Sequence, residues 1–576
     1  MTDPKAPPGF HPVRRWLILG VYLAGMSVLI WRSVDLQVLN KEFLQEHGDA
    51  RALRVVEIPA HRGMIADRNG EPLAISTPVN SAWAMPQKVL ASGRDLAPLA
   101  TLLETNSEEL EILLRERFGR EFVYLRRHVD PALSEKIAAL DIPGIYFQQE
   151  YRRYYPAGEV ASHLIGFTNI DDVGQEGLEL AYDEWLRGTP GGKRVLKDRL
   201  GRIVANVESI RPARSGRVLE LSIDRRIQYL AYRELKSAVN LHRAHAGSLV
   251  MLDAKTGEVM ALAGQPSYNP NNRNDLRSGF FRNRAITDAF EPGSTLKPFT
   301  IAAALQSGFY SPVTPVDTRP GYLKIGHHTI RDINNYGVID LASIIRKSSN
   351  VGAAKIALSL EPGLLWQTLA DFGFGKITGS GFPGETAGRL DIPDNWSEVE
   401  LATVAFGYGL SVTVLQLAQA YLTLANDGEL LPLSFHKILS PPGGHRVLPE
   451  NTAAQILAML EAVVRDGGTG YRAAVNGYRV AGKTGTVRKT KAGGYSEDRY
   501  LSLFAGIAPA SDPRLVMVVM IDDPKGGQYY GGQVAAPVFS RVMSGALRLL
   551  NVSPDDLTMP RGQIVAGKNL LPEMAE

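Results

Sequence analysis

Ser294 and Lys297 stand three residues apart in Phe290-Glu291-Pro292-Gly293-Ser294-Thr295-Leu296-Lys297-Pro298-Phe299. Gly and Pro mark a loop ahead of Ser294, and the apolar run from Phe299 to Leu305 predicts a buried helix behind it. Residues i and i+3 share a helix face, so an amine falls beside a hydroxyl. A hydroxyl becomes a nucleophile when a base takes its proton, and an unprotonated lysine can be that base. A lone Ser-x-x-Lys arises by chance in any long chain, and a solvated helix lysine explains it as well. Two later groups change the weight of the match. Ser348-Ser349-Asn350 precedes an apolar helix, although by itself it would be a helix cap. Lys483-Thr484-Gly485-Thr486 follows Ala481-Gly482 in an expected strand. There the glycines would let a substrate backbone approach, and Thr484 and Thr486 share one face. The three groups, in this order and in these contexts, form a known serine acyl-transfer set far more specific than any one member.

The chain contains its own control. Lys255-Thr256-Gly257 repeats the tripeptide ahead of the nucleophile, within Asp253-Ala254-Lys255-Thr256-Gly257-Glu258. That stretch reads as a hairpin turn, so Lys255 should face solvent and carry no chemistry.

The positioning elements follow from periodicity. Gly247–Leu252 and Val259–Ala263 read as strands, as do Tyr478–Val487, Leu501–Ile507 and Leu515–Ile521. Asp224–Val239, Leu341–Leu360 and Pro537–Leu550 have helical spacing. A strand meander with a mostly helical insertion implies an α+β domain with an antiparallel sheet flanked by helices. Ahead of it, residues 40–215 mix short strands with helices at Leu96–Phe118 and Pro131–Leu140, and a hairpin turns at Asn69-Gly70. No nucleophile-and-base pair occurs in that region, which reads as a positioning or partner-binding module.

At 576 residues the chain is too long for one core. With 44% apolar and 21% charged residues it belongs among folded proteins. Net charge is +3 without any block of like charge, which gives no support to nucleic-acid binding. There is no cysteine, which excludes disulfides, thiolate chemistry and a lipidated cysteine anchor. His47, His61, His128 and His163 have no ligand spacing, so no metal site is expected. Trp16–Trp31 is apolar, with a tryptophan at each end and Arg14-Arg15 ahead of it. The stretch is short for a span, but the apolar trend continues to Leu39 and no small-x-small cleavage site follows. The expectation is an uncleaved single-pass anchor, its N-terminus cytoplasmic by the positive-inside bias.

Taken together, the chain resembles the class B penicillin-binding proteins, the monofunctional D,D-transpeptidases of peptidoglycan synthesis. Arg62-Gly63-Met64-Ile65 with Asp67-Arg68-Asn69-Gly70 is similar to the N-terminal signature of that family. Arg153-Tyr154-Tyr155-Pro156 and His163-Leu164-Ile165-Gly166-Phe167 resemble the motifs of its non-catalytic pedestal. Glu291–Phe299, Lys347–Gly352 and Phe406–Thr413 resemble its transpeptidase domain. Lys197-Asp198-Arg199 followed by Gly201-Arg202 is similar to the septal, division-type branch rather than the elongation branch. The resemblance implies a cytoplasmic arm at 1–15, an anchor at 16–38, a pedestal of the dimerisation type at 39–215, a transpeptidase domain at 216–553 and a tail at 554–576.

The same resemblance implies the roles. Ser294 would attack the carbonyl between the two D-alanines of a stem peptide, and Lys297 would take its proton. Ser348 and Lys483 would relay a proton to the leaving amine, and Asn350 would hold the peptide. Thr484, Gly485 and Thr486 would bind the donor with Lys483, and backbone N–H groups of Ser294 and Thr486 would form the oxyanion hole. No cofactor is implied. β-Lactams would inhibit by mimicking the donor. The partners implied are stem peptides, a membrane glycosyltransferase of the SEDS type and other division proteins. A class A β-lactamase shares the motifs but lacks the anchor and the long leading region. A bifunctional enzyme would carry a glycosyltransferase signature that residues 40–215 lack. A β-lactam sensor of this fold would typically span the membrane several times, whereas a scaffold role could coexist with catalysis.

Overall fold

A computed structural model of the chain describes residues 12–40, 53–197, 203–272, 278–361, 363–393, 396–491 and 493–556. Most of the arm, most of the tail and the division-type stretch Asp198–Arg202 lie outside the described residues. The N-terminal helix Pro12–Val34 runs on through a π-helical turn, Asp35–Leu39. Every side chain from Val13 to Val34 is exposed, Trp16 and Trp31 included. The apolar helix counts 27 residues, Val13–Leu39. At 1.5 Å per residue that is roughly 40 Å, enough for a hydrocarbon core of about 30 Å. The length concern raised by the sixteen-residue apolar run is met by continuation past Arg32, which pairs with Asp35 at 2.8 Å. Among the described residues no other helix is long and apolar enough to cross a membrane.

The chain divides into two units. One holds Val79–Glu150 and Gly188–Ser215 with the N-terminal stretch up to His61. Its helices Ala97–Leu103, Ser107–Glu116 and Pro131–Ala139 share a small core of Leu99, Leu103, Leu110, Leu114 and Ile137. The helix expected over Leu96–Phe118 is in fact two. Glu104 adopts a left-handed backbone (φ +57°), and Asn106 caps the second helix by accepting from the Glu108 N–H at 3.0 Å. Apolar spacing carried across that break because the two helices bury the same side.

The other unit holds Gly216–Glu576 together with Arg62–Pro78 and Tyr151–Arg187. This division differs from a single boundary at 215/216, and Arg62 supplies the reason. Its guanidinium is buried, 2.6 Å from Glu179 and 2.8 Å from Asp183, while Arg153 reaches Glu179 at 2.6 Å. Asp67 accepts from the Arg225 N–H at 3.0 Å. A charge this deep persists only when paired, so these ion pairs hold Arg62–Pro78 to Tyr151–Arg187, and the Asp67–Arg225 contact joins them to the stretch from Gly216.

Five antiparallel strands form the main sheet, in the order Val259–Gln265, Ala246–Asp253, Leu515–Asp522, Gly494–Ala508, Ala481–Lys491. The first hairpin therefore pairs with the last strand of the chain, and the mostly helical insertion leaves from one edge strand, Val259–Gln265, and returns at the other, Ala481–Lys491. Ala246–Asp253 and Leu515–Asp522 are buried at every residue, which is why they read as continuous apolar runs rather than alternating ones. Helices Arg225–Leu241 and Ala536–Leu549 cover one face, through Leu235, Phe539 and Val542. Val414–Ala425 and Lys297–Gln306 lie in the core of the other. Ala481–Lys491 is an edge strand, and it carries Lys483.

Candidate active site

Ser294 lies in a 3₁₀ turn, Gly293–Leu296, that runs directly into helix Lys297–Gln306. Pro298 suits the first turn of that helix, where its missing N–H costs nothing. The turn is braced from several sides. Gly293 has φ +53°, and a Cβ there would stand 2.4 Å from Val487. Its N–H donates to the Gly407 carbonyl at 2.9 Å, and a Cβ on Gly407 would meet Gly293 at 2.1 Å. Both glycines are therefore required by close approach. The buried Tyr421 hydroxyl donates to the Thr295 carbonyl at 2.8 Å. Gly407-Tyr408-Gly409 thus supports the nucleophile loop, while Tyr408 packs edge-on against Phe406 and Tyr495.

Lys297 is fully buried, and four oxygens surround its Nζ: Ser294 Oγ at 3.1 Å, Ser348 O at 2.6 Å, Ser348 Oγ at 3.1 Å and Asn350 Oδ1 at 2.8 Å. Among the described residues no carboxylate touches it. Burial holds its pKa well below the ordinary lysine value; the neighbouring Lys483 pushes the same way, and Asp332 opposes. The positive end of its own helix adds to the push. A neutral amine has two N–H groups and one lone pair. The Ser348 carbonyl and the Asn350 amide oxygen can only accept, so they occupy both N–H groups. The lone pair is left for a hydroxyl.

Lys483 is also fully buried. It donates to Ser348 Oγ at 3.0 Å and to the Thr484 carbonyl at 3.2 Å, and burial lowers its pKa to about 7. Ser348 Oγ therefore bridges two amines, giving a continuous path Ser294–Lys297–Ser348–Lys483. Such a line of hydroxyls and weakly basic amines can hold and pass protons around an attacking serine.

The expected helix Leu341–Leu360 is broken at this point. It is Leu341–Lys347 followed by Asn350–Ser359, with Ser348 left-handed at φ +61° between them. A left-handed serine costs about 1–2 kcal/mol, the kind of local strain found at functional sites. Ser349 caps the second helix by accepting from the Gly352 N–H at 2.9 Å. Asp332 holds the junction. Its carboxylate accepts from Ser349 Oγ and the Asn350 N–H, both at 2.5 Å, and from the Val351 N–H at 3.0 Å. Asn350 Nδ2 donates to the Arg331 carbonyl at 3.1 Å, which leaves Oδ1 for Lys297.

Thr484 Oγ1 lies 2.8 Å from Thr469 Oγ1, and Thr486 Oγ1 accepts from the Gly531 N–H at 3.0 Å. The glycines of this strand serve the protein itself. A Cβ on Gly482 would stand 2.5 Å from the Phe504 ring; one on Gly485 would crowd Thr295 at 3.0 Å and the Pro292 carbonyl at 3.2 Å. Gly485 lets the Ser294 loop pack on the strand. Lys255 lies in a turn, half exposed and paired with Asp512 at 2.7 Å. Asp332 and Thr469 are among the contacting residues that motif reasoning missed. Each is an isolated residue in an irregular stretch, and no local signal marks it.

A part-exposed serine beside a buried amine whose pKa burial holds well below the ordinary lysine value, at the edge of an antiparallel sheet, is competent for serine acyl transfer without a histidine. Residues 247–544 match the penicillin-binding protein transpeptidase domain, and residues 57–221 match the penicillin-binding protein dimerisation domain. The peptidoglycan D,D-transpeptidase FtsI of Escherichia coli K12 is 44% identical over 547 residues, covering 94% of this chain and 92% of that one. Penicillin-binding protein 3 of Mycobacterium tuberculosis, solved in complex with aztreonam, aligns with TM-score 0.67 at 29% identity, over 87% of this chain and 98% of that one. The apo transpeptidase domain of Burkholderia pseudomallei penicillin-binding protein 3 is 43% identical, with TM-score 0.54 over 58% of this chain and 97% of that one. This chain belongs to the penicillin-binding proteins, in the form with a dimerisation domain ahead of a transpeptidase domain. Peptidoglycan and β-lactam binding fit such a domain, and the N-terminal helix fits a single-pass anchor.

Proposed function

We propose that the protein is a peptidoglycan D,D-transpeptidase that crosslinks stem peptides at the division septum. The observation that carries this reading is the buried Lys297 amine, its two N–H groups held by obligate acceptors and its lone pair left for a hydroxyl, 3.1 Å from Ser294 Oγ. Ser294 Oγ attacks the carbonyl between the last two D-alanines while Lys297 takes its proton. The Ser294 and Thr486 N–H groups stabilise the oxyanion. The C–N bond breaks, and the leaving D-alanine amine receives a proton through Ser348 and Lys483. Asn350 holds the donor peptide. Thr484 and Thr486, with Lys483 and the Gly485 backbone, bind its terminal carboxylate. An amine of a neighbouring stem then attacks the ester, forms the crosslink and releases Ser294. A β-lactam follows the same first step, but its leaving group stays tethered and the ester persists.

The apolar helix supports a topology with the arm in the cytoplasm and both domains outside the inner membrane. The match to a dimerisation domain followed by a transpeptidase domain supports action beside a separate membrane glycosyltransferase of the SEDS type and other division proteins. Labelling with a fluorescent penicillin tests the chemistry: Ser294→Ala should lose all covalent label while keeping its melting temperature, and a mutant that still labels would refute the assignment. Depletion in cells tests the septal role, with filaments expected; round or lysed cells would point to elongation.

A further inference from the structure

Three segments meet at Glu291, three residues ahead of Ser294. Its Oε1 accepts from the Gly409 N–H at 2.9 Å and from the Tyr495 hydroxyl at 3.0 Å. Gly409 lies on the segment that braces the nucleophile loop, where Phe290 and Val412 exchange backbone hydrogen bonds at 2.9 Å in both directions. Tyr495 stands near the tip of the hairpin whose first strand carries Lys483, in register with Thr490. The Tyr495 ring also meets Tyr408 edge-on at 5.5 Å. Glu291 Oε2 is buried with no hydrogen-bond partner among the described residues. A buried acceptor left unsatisfied costs stability, so the position is occupied for a reason other than folding.

We propose that Glu291 is a positioning residue that ties the outer end of the Lys483 strand to the nucleophile loop and so sets the width of the donor cleft. The inner end of that strand is already held, by Lys483 on Ser348 and by Gly485 packed against Thr295. Beyond Val487 the strand's exposed residues Arg488 and Thr490 leave it without a core to hold it. Lys489 pairs with Asp522 within the sheet, and the Tyr495–Glu291 hydrogen bond, made from the neighbouring strand Gly494–Ala508, is what ties that end to the nucleophile loop. Without it the hairpin tip is free to swing, and the donor meets a wider, less ordered cleft. Chemistry at Ser294 is untouched, because the Lys297 and Ser348 contacts do not pass through Glu291. The inference rests on the transpeptidase reading, since the cleft has meaning only for an acyl donor.

The test is the rate of acylation of the full chain by a fluorescent penicillin as a function of its concentration, which separates affinity before acylation from the limiting rate. Tyr495→Phe keeps the ring and removes one hydrogen bond, so affinity should weaken about three- to tenfold with the limiting rate within about twofold. Glu291→Ala should lose at least as much affinity. Glu291→Gln keeps an oxygen for both donors and should recover most of it. A Tyr495→Phe protein with wild-type affinity, a loss confined to the limiting rate, or a Glu291→Gln protein as impaired as Glu291→Ala would each overturn the tie. If the wild-type chain itself takes no label, the acyl-transfer reading fails and the tie falls with it; if wild type labels and the variants match it, the tie alone fails.

Discussion

Lys-Thr-Gly occurs twice in this chain, and the two copies lead different lives. At Lys255 the tripeptide makes a turn. The lysine is 39% exposed, pairs with Asp512, and Gly257 takes φ +73°. At Lys483 the tripeptide is edge strand. The lysine is buried, touches no carboxylate, and its pKa falls to about 7. A third buried cation, Arg62, sharpens the contrast: it is as deep as Lys483 but lies against Glu179 and Asp183. A cation kept for structure is given carboxylates, whereas an amine kept for chemistry is denied them. Burial without a counter-ion is what makes Lys297 and Lys483 weak enough as bases to work near neutral pH.

The sharpest way to break this comparison is to remove each lysine in turn. Lys297→Ala or Lys483→Ala should slow acylation by about 10²–10⁴-fold, the usual worth of a positioned acid or base. Lys255→Ala should leave it within twofold and change stability by less than about 1 kcal/mol, as for an exposed ion pair. Comparable losses at Lys255 and Lys483 would erase the distinction. Arg62→Ala tests the structural side: it leaves the buried Glu179 with Arg153 alone and takes from Asp183 its buried partner, and should cost up to about 3–5 kcal/mol in a melting or denaturant experiment. Lys483→Met should do the reverse, losing activity while gaining about 1–2 kcal/mol, because an unpaired buried amine is replaced by an apolar chain.

The pH dependence follows from the same shifts. Native Lys297 and Lys483 hold their protons more weakly than unfolded lysines, whose pKa is near 10.5. Between about pH 7 and 10.5 the unfolded chain therefore binds more protons, and stability should rise with pH across that window. Acylation should rise as Lys297 loses its proton. It should decline again above pH 7, as Lys483 loses the charge that holds the donor's carboxylate. A flat profile from pH 6 to 9 would contradict both assignments. The smallest effect concerns Ser348. Ser348→Gly relieves the left-handed strain and should stabilise by up to about 1 kcal/mol while slowing acylation.

Much of this site was legible because its parts sit in regular elements. Ser294 and Lys297 open a helix, Lys483 lies in a strand, and the decoy Lys255 lies in a turn, so local context sorted them. What escaped was set by tertiary contact. Asp332 is an ordinary aspartate until the fold lays its carboxylate across Ser349, Asn350 and Val351. Thr469 gains meaning only beside Thr484. Ser348-Ser349-Asn350 marked a helix cap inside otherwise continuous helical spacing, but the left-handed turn at Ser348 is imposed by what the two helices must hold. Gly485 was readable as a glycine with a purpose, but whether a ligand or the protein's own loop approaches it depends on where Thr295 lies. The antiparallel sheet was implied by the strand meander, whereas its order, with the first hairpin paired to the last strand, and the grouping of Arg62–Pro78 and Tyr151–Arg187 with the larger unit depended on contacts between distant residues.

The central claim is that Ser294 is the atom donor to a covalent acyl intermediate. The direct measurement is peptide mapping by mass spectrometry of the full chain after brief exposure to a penicillin. The account predicts one equivalent of the opened β-lactam, attached to the peptide that carries Ser294. An adduct on any other residue, or none at all on a folded protein, would contradict it.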